Sequence, residues 1–208
     1  PPLRHSSAAS DVYKRQSVGE DFACGLTGQP DDSLNSNTLY CWGSDSHSQL
    51  GNSVVTNHQT MTKTAFAVPV LDLPPSWHAV DVDVGARHAC AIGVDGDVYC
   101  WGDNAHGQLG INSTVATSLP VEVQLPANTR AMSISAGSQH TCVVTTVGEL
   151  YCWGDSSNQQ LGEYFLANSS GYVEETFSSS NWLDTTPLAD VYIGCLLYTS
   201  PSPRDLMR

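Results

Sequence analysis

The sequence predicts an all-β fold made of repeated antiparallel sheets, and three observations carry that prediction. The stretch HACAIGVDGDVYCWGDNAHGQLG (88–110) returns as HTCVVTTVGELYCWGDSSNQQLG (140–162), with His, Cys, Tyr-Cys-Trp-Gly and Leu-Gly at the same places. Short segments such as VDVDVG and MSISAG alternate apolar and polar residues, the two-residue period of a strand. The repeated units, about 50 residues long, carry no helix signal.

The repeat has three full copies. They open at SVGEDFAC (17–24), DVGARHAC (83–90) and SAGSQHTC (135–142), with Gly19, Gly85 and Gly137 each five residues ahead of a cysteine. A fourth opens at PLADVYIG and reaches Gly194, so that successive glycines stand 66, 52 and 57 residues apart. Alternating strands lead to Gly85 and Gly137. After them, HACAI and DVYCW flank Val94-Asp95-Gly96, and HTCVV and ELYCW flank Thr146-Val147-Gly148; both read as tight hairpins closed by glycine. Antiparallel register then sets Cys90 opposite Cys100, Ala89 opposite Trp101, Cys142 opposite Cys152 and Thr141 opposite Trp153. The first copy has a longer loop but aligns Cys24 with Cys41 and Ala23 with Trp42. A further strand is expected at PVLDLP and PVEVQLP, bounded by prolines that cannot donate to a ladder. The segment after Gln-Leu-Gly is a candidate for a fourth.

Both faces of each hairpin are apolar: Cys90, Ile92, Val98 and Cys100 on one side, Ala89, Ala91, Tyr99 and Trp101 on the other. A sheet buried on both faces must be stacked between neighbours. Units of about 50 residues with several strands therefore predict a partial β-propeller. It would have about three blades plus the first strand of a fourth, each blade a three- to four-stranded antiparallel sheet. The copies span about 17–66, 67–118 and 119–186, with the fourth starting at 187–194.

The skeleton G-x-x-H-x-C followed by V-Y-C-W-G-D-N-x-x-G-Q-L-G resembles the repeat of the regulator of chromosome condensation family, whose members form seven-bladed propellers. Its residues here are Gly19, Gly85, Gly137 and Gly194, His88 and His140, Trp42-Gly43, Trp101-Gly102 and Trp153-Gly154, with Leu50-Gly51, Leu109-Gly110 and Leu161-Gly162. The resemblance covers essentially all of 17–194. It departs at Phe22, which stands where the other copies have His, and in the third copy, where GEYFLANSSGYVEETFSSSNW replaces the proline-bounded strand. The resemblance implies guanine-nucleotide exchange on a small GTPase as one activity, which belongs to the cytosol or nucleus. It also implies chromatin contact through basic segments, which this chain lacks.

Six of the seven cysteines form three equivalent pairs, Cys24–Cys41, Cys90–Cys100 and Cys142–Cys152. Zinc knuckles place cysteines two to four residues apart on one turn; the spacings here are longer, and each blade offers two thiols and at most one His. Opposed residues of an antiparallel pair lie close enough for a disulfide. One disulfide per blade is the expectation, with buried free thiols and a metal as the alternatives. Asn112 and Asn168 begin Asn-x-Ser/Thr triplets, which makes both candidate N-glycosylation sites and accords with a secretory route.

No serine or cysteine nucleophile and no acidic partner recurs with His88 and His140, so both are expected as buried imidazoles bonded to backbone. Trp42, Trp101 and Trp153 are expected between blades, and the glycines of the Trp-Gly…Gln-Leu-Gly loop at positive φ. Asp95, Asp97 and Asp103 lack the order of a calcium loop and are expected to be solvated. No phosphate, dinucleotide or hydrolase loop is found, which leaves no cofactor and no enzyme in the reading.

Twenty-one acidic residues face 8 basic ones, a formal net charge of −13. That balance repels nucleic acid and anionic lipid, and no apolar run is long enough to span a membrane. The two ends share no pattern with the interior. DVYKRQ (11–16) and CLLYTSPSPRD (195–205) resemble translated sequencing-adapter read-through, so 1–16 and 195–208 are expected to be foreign and disordered. On this reading three blades cannot close a ring, and the remaining blades of a parent chain are themselves a partner. The function expected from the residues is a non-catalytic binding module, secreted or lumenal, that presents blade loops to a protein or a glycan. The alternative is an intracellular regulator of the exchange-factor type.

Overall fold

A computed structural model of the chain describes residues 13–27, 38–53, 55–56, 59–60, 62–161 and 169–175. Within them every regular element is a strand. The order is β1 (Tyr13–Val18), β2 (Phe22–Thr27), β3 (Thr38–Ser44), β4 (Val55–Thr56), β5 (Gln59–Thr60), β6 (Lys63–Pro69), β7 (Ala79–Val84), β8 (His88–Gly93) and β9 (Val98–Gly102). β10 (Thr117–Glu122), β11 (Ala131–Ala136), β12 (His140–Thr145), β13 (Leu150–Gly154) and β14 (Ser169–Glu175) follow.

These strands make three four-stranded antiparallel blades, in the orders β1-β2-β3-β6, β7-β8-β9-β10 and β11-β12-β13-β14, while β4 and β5 form a small separate hairpin. In each blade the strand that leads to the repeat glycine is innermost. These inner strands carry the contacts between blades: β7 touches β1, β2 and β11, and β11 also touches β8. The hairpin register pairs Cys90 with Cys100 and Ala89 with Trp101, Cys142 with Cys152 and Thr141 with Trp153, Cys24 with Cys41 and Ala23 with Trp42.

The core is divided by the blades. Ala89, Ala91 and Trp101, one face of the second blade, join Phe22, Cys24, Leu26, Leu39, Cys41 and Leu50 of the first in one apolar cluster. The other face, Cys90, Ile92, Val98 and Cys100, joins Ile134, Val143, Tyr151 and Trp153 of the third blade in another. A strand such as β8, with all six residues buried, is stable only because each face removes apolar surface from water against a different neighbour.

Two expectations need correction. The outer strand lies earlier than the proline-bounded segments: β6 ends at Pro69, and Pro120 sits inside β10. Pairing continues one residue further, with the Val70 and Val123 N–H groups donating to Leu39 and Val98 carbonyls at 3.0 and 2.8 Å. An outermost strand needs backbone pairing on one side only and few buried side chains. It therefore extends back through mostly exposed or half-buried residues that show no alternating pattern, and it tolerates a proline. Consequently the copy boundaries at 66/67 and 118/119 fall inside β6 and β10. In the third blade the inserted segment supplies β14, with Cys152 opposite Val173 and Tyr151 opposite Glu174. β1 begins at Tyr13 rather than Ser17 and pairs Gln16 with Gly25 and Ser17 with Cys24. Gly162, Asn168, Gly194 and the expected fourth-copy strand lie outside the described residues.

Candidate functional site: the blade seams and the loop face

Each seam is built from residues that the repeat places at matching positions. The Trp101 indole N–H, fully buried, donates to the Gln49 carbonyl of the preceding blade at 2.9 Å, and Trp153 does the same to Gln108 at 2.8 Å. The indole ring lies against the glycine of that blade's Gln-Leu-Gly. A Cβ on Gly51 would stand 2.8 Å from Trp101 Nε1, and one on Gly110 would stand 2.9 Å from Trp153 Cε2. Both glycines have φ near +65° (65° and 64°), a conformation that glycine adopts without strain. The glutamines hold their own loops: Gln49 Oε1 accepts from the His47 N–H at 2.8 Å and Gln108 Oε1 from the His106 N–H at 2.9 Å.

Gly85 and Gly137 serve by lacking a side chain. A Cβ on Gly85 would lie 2.2 Å from His88 Cε1 and 2.4 Å from the Gly137 carbonyl of the next blade. Gly19 has the same relation to Phe22 and to the Gly85 carbonyl. The ring three residues on covers each glycine, and at Gly19 and Gly85 the next blade's backbone closes over it.

His88 is a buried structural imidazole, but its partner is a side chain, not the backbone. Its Nε2 lies 2.8 Å from the Thr141 hydroxyl, which in turn donates to the Gln108 carbonyl at 3.1 Å. A hydroxyl has one proton to give, so the network assigns the proton on His88 to Nε2. Nδ1 is buried without a hydrogen-bond partner. Burial, and secondarily the neighbouring His140, lowers the His88 pKa to about 3. His140 is also lowered by burial, against the opposing pull of Asp155.

This seam accounts for the one departure from the repeat at that position. Thr141 of the third blade occupies the place that Ala89 holds in the second. Where the facing residue is Thr141, the preceding blade carries His88; where it is Ala89, the preceding blade carries Phe22, and both sit in one apolar cluster. The pattern runs between blades, so it is invisible within any one copy.

Asp83 ties three blades at their inner strands. Its carboxylate accepts the Ser17 hydroxyl of the first blade and, at 2.7 Å, the Ala136 N–H of the third. Ser17 Oγ also accepts the Val84 N–H at 3.2 Å. Sequence reading passed over Asp83; its signal is a carboxylate at a position where the first and third copies carry Ser17 and Ser135.

The cysteine pairs close as Cys24–Cys41, Cys90–Cys100 and Cys142–Cys152, each with Cα atoms 4.1 Å apart. The turns leading into β2, β8 and β12 lie on one side of the array with the loops that leave β3, β9 and β13: the Ser44, Asp103 and Asp155 N–H groups donate to the Asp21, Arg87 and Gln139 carbonyls at 2.9, 2.9 and 2.8 Å. Arg87 Nε lies 3.6 Å from Glu20 Oε2, and its Nη1 lies 3.4 Å from His47 Nε2. Burial alone would raise Asp155, but hydrogen bonds from the Ser157 N–H and hydroxyl and from Gln160 hold it below the usual carboxylate range. Asp95 lies in the β8–β9 turn on the opposite side, with Asp97 beside it, away from Asp103. No group of three metal-ligating side chains is placed to hold an ion among the described residues.

Blades stacked through their inner strands, with loops gathered at the two ends, define a β-propeller array. Comparison with known proteins names its kind. The family described as the regulator of chromosome condensation (RCC1) repeat matches residues 95–144 in one model, and 79–108 and 133–160 in a second; the chain carries repeats of that family. The ultraviolet-B receptor UVR8 of Arabidopsis thaliana is 31% identical over 127 residues, 61% of this chain and 27% of the receptor. The probable E3 ubiquitin-protein ligase HERC3 of Homo sapiens is 31% identical over 124 residues, 60% of this chain and 11% of the ligase. Yeast RCC1 (Prp20), solved bound to Kap60, superposes with a TM-score of 0.67 at 22% identity, over 81% of this chain and 38% of that one. Human WBSCR16 gives 0.66 at 23%, over 79% and 39%. The chain thus spans well under half of the relatives it matches.

Proposed function

We propose that this protein is a non-catalytic binding module of the secretory-pathway lumen or the cell exterior, whose loop face receives a protein or glycan partner. The observation that carries the reading is the cysteine pairing: one bonded pair per blade, at matching positions, in all three blades. Disulfides persist in oxidising compartments and are rare in cytosol and nucleus. The histidines support the non-catalytic part, since the hydroxyl beside His88, on Thr141, is sealed in the seam and gives its proton to the Gln108 carbonyl. The acidic, hydroxyl-rich loop face suits a partner with basic or polar groups and disfavours nucleic acid.

A second reading has its own support. Yeast RCC1 was solved bound to Kap60, and Prp20p of Saccharomyces cerevisiae was studied for binding to Gsp1p and histones. An intracellular regulator of protein partners, with nucleotide exchange as one form, follows if the cysteines are reduced. Alkylation of the acid-quenched protein from its own cells, before and after reduction, separates the two. Linked Cys90–Cys100 and Cys142–Cys152 peptides are the expected result. Six alkylated thiols in folded material would sink the secretory reading and leave the intracellular regulator.

A further inference from the structure

The loop between β9 and β10 carries Asn112-Ser113-Thr114, an acceptor triplet with no proline at its centre. The fold displays it in a defined way. Ile111 packs against the cluster between the second and third blades. Asn112 then takes φ of 54°, a left-handed conformation that asparagine tolerates better than most residues. The reversal turns Asn112 out to solvent while Ile111 stays partly buried. Asn104, fully buried beneath, fixes the rest. Its Nδ2 donates to the Ser113 and Val115 carbonyls at 2.8 and 3.0 Å, and its Oδ1 accepts the Leu109 N–H at 3.0 Å. The Ser113 hydroxyl accepts the Val115 N–H at 3.1 Å. Asn112 and Thr114 are both exposed on a loop pinned from below.

We propose that Asn112 is an N-glycan acceptor. The co-reactant is a lipid pyrophosphate-linked oligosaccharide. A bond forms between Asn112 Nδ2 and the first sugar's anomeric carbon, the bond from that carbon to the pyrophosphate oxygen breaks, and the lipid pyrophosphate leaves. The amide surrenders one proton to a base of the transferring enzyme, and no oxidation state changes. The site rests on the secretory reading above, and it lies where a glycan disturbs no seam, since its anchor Asn104 points inward.

The test is to secrete the full chain from eukaryotic cells, release glycans enzymatically in heavy-oxygen water, and map peptides by mass spectrometry. Most chains should carry the heavy label at Asn112. Asn112→Gln and Thr114→Ala should lose it together with one step of gel mobility, while Thr114→Ser keeps it at reduced occupancy. An unlabelled Asn112 in the secreted chain overturns the site whatever the state of the cysteines. The secretory reading is decided separately, by the cysteines of protein taken from its own cells, since passage through a secretory pathway oxidises them in any case.

Discussion

His88 illustrates how one side chain records its neighbour in the next blade. The unfolded imidazole takes a proton below its ordinary value of 6.5, whereas the folded one resists until about pH 3. Its contribution is therefore fully present above pH 6.5 and is lost as pH falls from there toward 3, by at most about 1.4 kcal/mol per pH unit. Urea midpoints measured from pH 7 to pH 4 should fall accordingly. The double variant His88→Phe with Thr141→Ala, which copies the Phe22/Ala89 seam, should fold and show a slope shallower by about 1 kcal/mol per pH unit. An unchanged slope would place the proton uptake elsewhere, His140 being the next candidate because burial lowers it too.

At the scale of the element, the hairpin is the unit that the sequence writes most openly. Glycine closes the turn, the two-residue period fixes the register, and the register brings each cysteine opposite its partner. Replacing Cys90 and Cys100 with serine should lower unfolding free energy by about 2–3 kcal/mol. The Cys24–Cys41 pair, separated by 17 residues rather than 10, should cost slightly more on loop-entropy grounds. Chemical denaturation with and without reductant measures both. Equal stability of oxidised and reduced forms would show that the pairs add nothing. The outer strands were far less legible. β6 runs through largely exposed residues and β10 through mostly half-buried ones, and their place is set by free backbone groups on β3 and β9 rather than by side-chain pattern.

For the whole molecule, cooperativity depends on the seams. The contacts between blades run from each to its neighbour through the inner strands, so stability follows from blade and interface contributions in sequence. Asp83 is the one described residue whose carboxylate bonds to the blades on both sides. Asp83→Ala leaves the Ser17 hydroxyl and the Ala136 N–H without this acceptor and should cost about 2–4 kcal/mol. It should also uncouple the blades, which would appear as a broader urea transition with a lower m value. Asp83→Asn, which keeps one acceptor, should fall between. A transition merely shifted, with m unchanged, would show that apolar packing alone carries the coupling.

The sequence by itself determined the repeat, the hairpins, their register and the opposition of the cysteines. The repeat follows from comparing copies, and the rest from spacing within one copy, where a period of two and a tight turn leave a single alignment. Tertiary structure alone decided the His88–Thr141 match, the Asp83 tie and the outer strands. Those depend on which residue of one blade meets which residue of the next, or on unpaired backbone at a sheet edge. Neither relation leaves a period along the chain.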